Sequence, residues 1–537
     1  MRRRFLVESA LALTLCWTMT ATPMAGEALA DPPAVKITPS KEKTYLLGPV
    51  NEDGTVNYVA GFNELVGKGV ERAANAASGL IQAAGPQLLP AEAMPQIAAY
   101  VDVPELNPKG KYFVRVESKP DNVPLRRMLD DAMVMPWSAD RFPVVADWLK
   151  ANDLPLAGVA EAVKRPKYFM PVVAKEGDQS IWGAVQPDME VFRQMGQALA
   201  AKAMLKLGEG DADGAWADAM AAARLGRLLC QEPLIVSTMS GLQIDKLAAG
   251  AVRTILNSGK VAPDKAQAML SELRGLPAMP ELSKVADLGE RCTHIALVMR
   301  LIRLGPKAMD EMTLSAKGPG EGEDIKPEEW RWVRAMINWD VILASVNGRW
   351  QAVTDALKAG THRDRAEAIR GLSAEHDNMR RMAREQAGAV SPVLAGQKRY
   401  YQAIVLGLLQ DPSGDMPALS AKVTSSMQNL ILSSYFMMVM QAVQYRDECD
   451  ATWGVNAVAL ELGAFKARKG QYPEKLSDLQ GEEGVKEVPT DMYSGNPLRY
   501  WRSGEGYLVY SFGPNMNDDG GKNDISEGRD DIHVRVK

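Results

Sequence analysis

The chain has 537 residues and a formal net charge of −5, because 67 acidic residues slightly outnumber 62 basic ones. This mild acidic balance argues against nucleic-acid binding, which requires a basic stripe or patch. The length corresponds to about three domains of roughly 150 residues each. Alanine and methionine are abundant and aromatic residues make up only 6% of the chain, so we predict a mainly α fold.

Residues 1–30 have the order of a secretory signal peptide. Arg2-Arg3-Arg4 precedes an apolar stretch over residues 10–21, and Ala28-Leu29-Ala30 supplies small residues at the end. We predict cleavage after Ala30 and a periplasmic or secreted protein. A retained anchor is the alternative, but the apolar stretch is shorter than the roughly 20 residues of a membrane span. We therefore expect no integral membrane span after signal cleavage.

Residues 31–123 are predicted to form an amino-terminal helical region with a short strand. Apolar residues fall at helical spacing from Val56 onward, and further helices are predicted over residues 73–84 and 91–101. Residues 112–116 are predicted to form the strand.

Residues 124–304 are predicted to form a helical-hairpin domain. Its predicted helices cover residues 125–133, 142–151, 156–163, 191–207, 214–229, 235–256, 263–273 and 282–304. Leu207-Gly208 and Trp216 resemble a tetratricopeptide-type unit, but only one unit is visible and a solenoid needs several. We predict a helical-hairpin bundle or an irregular solenoid.

An aromatic-rich junction lies within this domain. It consists of Pro136-Trp137, Trp148, Pro155 and residues 165–169. A binding surface is one interpretation of this junction. Packing between helices is favoured, because tryptophan beside proline usually closes a helix corner.

The helical part is interrupted at residues 305–326, where Gly318-Pro319-Gly320 and the acidic residues after it predict a flexible loop. Residues 327–446 are predicted to form a second helical domain, with helices over 327–358 and 427–443. The second of these is predicted as a buried core helix and not as a membrane span. The charged residues 359–396 predict a solvated helix face, with partner binding as the alternative.

Cys230, Cys292 and Cys449 remain after the predicted cleavage, too few for a disulfide scaffold in so long a chain. One disulfide with one free thiol, or three buried thiols, are both compatible with the sequence. Cys292 and His294 lie in an apolar helical segment at a spacing that places them on different sides. We expect packed core positions there, and not a nucleophile with its base.

Signals for enzymatic chemistry are weak. The sequence contains no His-Glu-x-x-His, Gly-x-Ser-x-Gly, Gly-x-x-x-x-Gly-Lys or Cys-x-x-Cys pattern. Asp447, Glu448 and Asp450 cluster just before a predicted helix, where carboxylates favourably oppose the helix dipole. Paired acid–base catalysis by these carboxylates is the alternative.

Residues 447–537 carry the most informative pattern. We predict a helix over 451–469 and strands over 498–502 and 507–512, paired across Ser503-Gly504-Glu505-Gly506. After the second strand, oxygen-bearing residues alternate ahead of a turn glycine, and further carboxylates follow. The candidate ligands are Asn515, Asn517, Asp518, Asp519, Asp524 and Asp531. Ca²⁺ favours such oxygens, so we predict a calcium loop; a metal-free Asn/Asp/Gly turn is the alternative.

This tail resembles the globular end of the major pseudopilin of type II secretion. The resemblance covers residues 451–532 and rests on Tyr472-Pro473, Gly495-Asn496-Pro497, Tyr510-Ser511-Phe512-Gly513-Pro514 and the Asn/Asp loop. It implies a small α+β module that binds calcium, with Asn515 in place of an acidic ligand and either Asp524 or Asp531 as the later aspartate. The family's membrane helix and cleavage site are missing, so filament assembly is not implied.

Three upstream segments look like parts of uncharacterised exported bacterial proteins that end in such a tail. They are Val56-Asn57-Tyr58-Val59-Ala60, Trp148-Leu149-Lys150-Ala151-Asn152 and Arg165-Pro166-Lys167-Tyr168. This looser resemblance covers most of the chain and implies no particular activity.

The combined features predict a non-enzymatic exported scaffold or protein-interaction protein with a calcium-stabilised tail and a protein partner in the cell envelope. Two alternatives stay open: a secretion- or pilus-associated envelope component, and an unrecognised hydrolase that uses carboxylates. A deep cleft with grouped Asp, Glu or His side chains would favour the hydrolase.

Overall fold

The computed structural model describes residues 35–537 except for 118–122, 176–179, 306–307, 309–326, 391–414, 434–436 and 482–486. The predicted signal peptide and nearly all of the predicted loop at 305–326 lie outside these described residues.

Most of the described chain is helical, as predicted. The helices are α1 (Tyr58–Gly67), α2 (Ala77–Ala84), α3 (Val123–Ala132), α4 (Pro143–Ala151), α5 (Asp153–Ala162), α6 (Met189–Gly208), α7 (Ala212–Leu229), α8 (Ile235–Asn257), α9 (Ala266–Arg274), α10 (Arg291–Leu304), α11 (Pro327–Met336), α12 (Trp339–Leu357), α13 (His362–Val390), α14 (Met416–Leu432) and α15 (Met437–Lys469). Single helical turns occupy Arg72–Ala74, Gly85–Gln87, Ala91–Ala93, Met94–Ile97, Pro263–Lys265, Leu282–Lys284, Leu476–Leu479 and Ile525–Glu527, and the π-helical stretch Val285–Glu290 leads into α10.

Aspartate caps fix where the predicted hairpin helices begin. The side chains of Asp188 and Asp211 accept backbone N–H groups at the starts of α6 and α7. A capping carboxylate satisfies an otherwise unpaired amide and also opposes the positive end of the helix dipole. Both helices therefore begin slightly earlier than the apolar pattern predicts.

Two helices near the amino terminus are shorter than predicted. Asn75 interrupts the helix predicted over residues 73–84, because its side-chain oxygen accepts the Ala77 N–H (3.1 Å) and starts α2 there. The helix predicted over residues 91–101 is reduced to single turns, and Pro95 lies at the start of the second turn. Proline lacks the N–H that a continuous helix needs at this point.

The prediction of a strand over residues 112–116 is wrong. The segment is extended, but its N–H groups bind side chains of neighbouring helical elements: Val114 donates to Asn152 Oδ1 (2.7 Å) and Val116 donates to Gln194 Oε1 (2.7 Å). The amide of Val116 is buried and that of Val114 is partly buried. Such amides require a partner, and these two side chains supply it. The segment therefore runs along the helices without joining a sheet.

Two long predicted helices are divided. Asn338 separates α11 from α12, because its side chain accepts the Val341 N–H (3.3 Å) and caps a new helix. The core helix predicted over residues 427–443 is also wrong as a single element, since α14 ends at Leu432 and α15 begins at Met437.

The acidic cluster therefore lies within α15 and not before a helix, so its predicted role at a helix start is wrong. Each carboxylate instead binds a cation. The pairs are Asp447 with Arg365 (2.7 Å), Asp450 with Arg446 (2.5 Å) and Glu448 with Lys246.

A buried carboxylate joins three helices of the helical body, by which we mean the packed helices α1 to α15. Asp245 of α8 is fully buried and accepts hydrogen bonds from Arg227 Nε of α7 (2.7 Å) and Trp453 Nε1 of α15 (2.8 Å). The guanidinium of Arg227 also lies over the Trp453 ring, 5.7 Å from its centroid. Because a buried charge is stable only when paired and hydrogen-bonded, these contacts fix the relative positions of the three helices.

The cysteines and the aromatic junction belong to the core. Cys230, Cys292 and Cys449 are unbridged and buried, which decides between the two alternatives left by the sequence. Next to Cys292, His294 is also buried as expected, and its Nδ1 accepts from Trp350 Nε1 (3.1 Å). Burial lowers the pKa of His294 to about 4. The aromatic residues of the junction, namely Trp137, Trp148, Tyr168 and Phe169, are buried too, which confirms packing between helices.

The tail forms a small antiparallel sheet. Its strands are β1 (Arg499–Ser503), β2 (Gly506–Ser511) and β5 (Ile532–Val536) in the order β1-β2-β5, while β3 (Asn523–Asp524) and β4 (Arg529–Asp530) form a separate short ribbon. Ser503 pairs with Gly506, which confirms the predicted hairpin. Strand β5 was not predicted.

The sheet packs on the helical body. Strand β5 contacts α8 and α15, and Arg535 N–H donates to Asn257 Oδ1 (2.7 Å) at the end of α8. Residues 36–537 form one compact unit, and the predicted boundary at residue 447 falls inside α15. Within the parts of the chain that the structure describes, the helices lack the length and apolarity needed to cross a membrane.

Replacing Arg227 with Met should lower the free energy of unfolding by about 3–5 kcal/mol, because it leaves the charge of Asp245 buried without its cation. Urea unfolding of the full chain measures this loss. Lys284→Ala is the control, since Lys284 forms an exposed pair with Glu281 (3.0 Å) and such pairs contribute about 0.5 kcal/mol or less. Equal losses in both variants would contradict a special role for the buried pair.

Glu232 predicts a dependence of stability on pH. It is 1% exposed, and burial raises its pKa from 4.5 to about 7. The folded protein therefore holds this proton more tightly than the unfolded chain, so the stabilisation is complete below pH 4.5 and is lost as the pH rises through about 7. Glu232→Gln should remove this dependence, which amounts to about 3 kcal/mol. Urea unfolding of both proteins across this range tests it, and parallel pH curves would contradict it.

Candidate metal centre

The predicted calcium loop lies between β2 and β5 and is folded back by glycines. Gly520 and Gly521 have φ values of 70° and 71°, a region that favours glycine. In the short ribbon, Asn523 pairs with Asp530 and Asp524 with Arg529. This turn returns the chain so that the aspartates before β5 lie beside the residues that follow β2.

Asp531 is the most deeply buried carboxylate of this loop. It is 0% exposed, its Oδ2 accepts the Gly521 N–H (2.7 Å), and its Oδ1 is buried without a hydrogen-bond partner among the described residues. Burial raises its pKa to about 6; the nearby N–H groups of Gly521 and Asp519 lower the pKa in part, and the charges of Asp519 and Asp518 raise it further. A buried carboxylate oxygen of this kind is costly unless a cation or donor meets it.

Asp530 has the same character, although it was not among the predicted ligands. Its Oδ2 accepts the Asn515 N–H (3.0 Å), and its Oδ1 is buried and also lacks a partner in the described part of the chain. Burial raises the pKa of Asp530, as does the charge of Asp519. A Cβ at Gly513 would lie 2.8 Å from Asp530 Oδ1, so glycine allows the chain to pass this close to the oxygen.

Asn515 and Asp519 lie next to these two aspartates. Asp519 Oδ2 accepts from Asn515 Nδ2 (3.0 Å) and from the Asp530 N–H (3.3 Å). Asn515 Oδ1 accepts the Asn517 N–H (2.6 Å). The loop therefore places Asp519 and Asn515 beside Asp530, and Asp531 follows Asp530 in the chain.

The other predicted ligands are directed elsewhere. Asp518 Oδ1 accepts from Tyr510 Oη (2.6 Å), and its Oδ2 lies 3.4 Å from Arg499 Nε. Asp524 is exposed and accepts from its neighbour Ser526 (2.6 Å), and Asn517 is exposed as well. Of the two later aspartates that the sequence left open, the geometry favours Asp531.

The chemistry of the loop fits a hard cation. Ca²⁺ takes oxygen ligands from carboxylates, backbone carbonyls and water, and Asp530 and Asp531 each present an unpartnered carboxylate oxygen. In the described part of the chain, no three Asp, Glu, His or Cys side chains already stand together as metal ligands. An ion would therefore need additional oxygens from Asn515, the backbone or water.

A second polar group lies where α13, α15 and the tail meet. Asp447 is buried and accepts from Arg365 Nη2 (2.7 Å), and its other oxygen lies 2.9 Å from His362 Nδ1. The ring of Tyr493 meets the His362 ring edge-on, with centroids 5.1 Å apart. Because Arg365 already compensates the charge of Asp447, this arrangement ties three elements together more readily than it activates a histidine base.

A shallow groove of about 620 Å³ lies between α2 and α5. Small residues form its floor, and Lys111, Lys164 and Arg165 lie along it. Its one acidic lining residue, Glu161, pairs with Lys164 (2.5 Å). This groove therefore offers no paired carboxylates of the kind that the hydrolase alternative requires.

No protein-family model, curated protein or solved structure matches the chain. The resemblance of the tail to the major pseudopilin therefore stays a prediction that depends on the residues quoted for it.

Proposed function

We propose that the protein is an exported, non-enzymatic scaffold whose carboxyl-terminal tail is stabilised by calcium and contacts a protein partner in the cell envelope. The observation that carries this proposal is the pair of buried oxygens, Asp530 Oδ1 and Asp531 Oδ1, which lack hydrogen-bond partners among the described residues. Leaving a buried polar oxygen unpaired costs about 1–3 kcal/mol, and more when it is charged. A bound cation would offset this cost.

Calcium is the preferred ion because the donors available here are oxygens. Asp530 and Asp531 supply charge, and Asp519 lies within the same loop. When bound, the ion would offset the negative charge of Asp530 and Asp531. These two aspartates also hold the loop in place, because they accept the N–H groups of Asn515 and Gly521.

The scaffold proposal is supported by the helical body and by the amino-terminal sequence. Helices α6, α7 and α8 pack on one another and α15 lies along α8, an arrangement that provides rigid exterior faces for a partner. The basic, apolar and small-residue order of residues 1–30 supports export.

A secretion- or pilus-associated envelope component is the second candidate. It is favoured by the order of elements in the tail: the end of α15, then the hairpin of β1 and β2, then the Asn/Asp loop. This is the order that a pseudopilin-like module would have.

Calcium titration of the full chain should release or absorb heat and raise the melting temperature. Binding adds about 2.7 kcal/mol of stability at a concentration one hundred times the dissociation constant. Asp531→Asn should abolish both effects, because it removes a buried charged ligand. Asp524→Asn is the matched control: it makes the same chemical change at an exposed residue and should leave binding intact.

No heat and no change in melting temperature with the unaltered protein would contradict the calcium site. Loss of binding in Asp524→Asn, with retention in Asp531→Asn, would instead assign the later ligand to Asp524.

Export and partner contact can be tested together in the native cells. A carboxyl-terminally tagged chain should be recovered outside the cytoplasm with Asp31 as its first residue, and cross-linking should capture an envelope protein. Replacing Arg2-Arg3-Arg4 with glutamates should block export, because the basic start of the signal is lost. A chain that stays cytoplasmic and uncleaved would contradict the proposal. Cross-linked products that contain no secretion-machine protein would count against the second candidate.

A further inference from the structure

The calcium-type loop is connected to the helical body through a short series of contacts. We propose that a cation in this loop locks the tail onto α13 and α15 through the turn that carries Tyr493. This inference rests on the proposed calcium site and states what filling that site does to the rest of the protein.

The first contact joins the loop to the end of β2. Asp530 Oδ2 accepts the Asn515 N–H (3.0 Å), and a Cβ at Gly513 would lie 2.3 Å from the Asp530 carbonyl oxygen. The chain that leaves β2 therefore lies directly against Asp530. Any ion that fixes the Asp530 carboxylate also fixes this part of the chain.

The second contact joins β2 to a turn that lies earlier in the sequence. Asp491 is buried, and its Oδ1 accepts from Ser511 Oγ (2.6 Å) at the end of β2. Its Oδ2 accepts the N–H groups of Ser494 (3.2 Å) and Phe512 (3.5 Å). One carboxylate thus attaches the turn at residues 491–496 to the residues next to the loop.

The third contact joins this turn to the helical body. Tyr493 is 6% exposed, and its ring packs edge-on against His362, which lies at the start of α13. His362 Nδ1 is 2.9 Å from Asp447 Oδ2 of α15, and Arg365 of α13 donates to the other oxygen of Asp447 (2.7 Å). Tyr493 therefore contacts α13 through His362, and His362 in turn contacts α15 through Asp447.

Negative charge accumulates along this route. Burial raises the pKa of Tyr493, and so do four carboxylates around it, namely Asp447, Glu448, Asp491 and Asp530. The pKa of Asp530 is raised by burial, by Asp519 and by Glu448 of α15. Arg365 and Lys246 already offset the charges of Asp447 and Glu448. The like charges that remain are those of Asp491 in the turn and of Asp519 and Asp530 in the loop, and they oppose close packing of the turn against the loop. A divalent cation at Asp530 and Asp531 reduces this repulsion and so favours the docked arrangement.

Binding and docking are therefore coupled in both directions. The docked turn holds the end of β2 against Asp530 and so preserves the site, and the filled site favours the docked turn. An ion that acted only within the loop would order the loop and leave α13 unchanged.

Hydrogen exchange of the full chain, measured by mass spectrometry with and without calcium, tests this coupling. At ten times the dissociation constant, exchange should slow roughly tenfold in the loop at residues 513–531, in the turn at 490–496 and in the first turns of α13. Tyr493→Ala should keep the slowing in the loop and lose it in α13. His362→Ala, which removes the same contact from the side of the body, should do likewise. Tyr112→Ala is the control, because Tyr112 lies beside the end of α2 and away from this route. This variant should behave like the unaltered protein.

The outcomes separate this inference from the calcium site itself. If calcium binds but slows exchange only in the loop, the coupling is wrong and the site stands. The same conclusion follows if calcium slows exchange in α13 of Tyr493→Ala and His362→Ala as much as in the unaltered protein. If calcium binds nowhere on the unaltered chain, both proposals fail.

Discussion

The packing of α15, the helix that leads into the tail, depends on one buried carboxylate. Asp245 lies in α8 and binds Arg227 of α7 and Trp453 of α15. A buried ion pair adds little net stability compared with well-packed apolar residues, but the loss of one partner is severe because the other charge stays buried. Such a pair therefore acts as a constraint on register, since α15 can slide along α8 only by breaking it. The orientation of α15 sets that of the sheet.

Helix α15 belongs to both parts of the molecule. Its first half carries the cation-bound carboxylates that face α8 and α13, and its second half packs under β2 and β5. A segment that looks like a separate module in the sequence is thus continuous with the body. This continuity gives an ion-binding loop at the far end of the chain a physical route to the helices, because a shared rigid helix and packed side chains transmit displacement.

The sequence predicted those features that depend on neighbouring residues. Helices α6 and α7 follow from apolar spacing and capping aspartates, and the hairpin of β1 and β2 follows from strand-forming residues on either side of Gly504-Glu505. Features that depend on distant partners were missed. Gln194 supplies the acceptor for an amide 78 positions away, and no local pattern reports such a bond. The division at Asn338 was overlooked because the apolar spacing of α11 and α12 is nearly continuous.

The sequence predicted where the candidate loop lies, but not which of its carboxylates are buried. The Asn/Asp/Gly pattern indicated the loop, yet spacing alone gave Asp518 and Asp524 the same standing as Asp531. Burial distinguishes them, because Asp531 lies beneath Gly521 while Asp524 is exposed. Asp530 was missed because it lies outside the alternating Asn515, Asn517 and Asp519 spacing from which the loop is predicted, and only folding brings it beside Asn515. The turn at Gly520-Gly521 brings the residues after β2 back beside both aspartates.

The three buried thiols affect how a chain of this kind reaches its folded state. Cys230, Cys292 and Cys449 are unbridged, and burial raises the pKa of each, so in the folded protein they are protonated and inaccessible. Under the export proposed above, the chain would fold in an oxidising compartment and would expose all three to thiol–disulfide exchange until the core closes. Closure of α8 against α7 and α15 then competes with oxidation, and the speed of that packing determines how much of the protein escapes wrong cross-links.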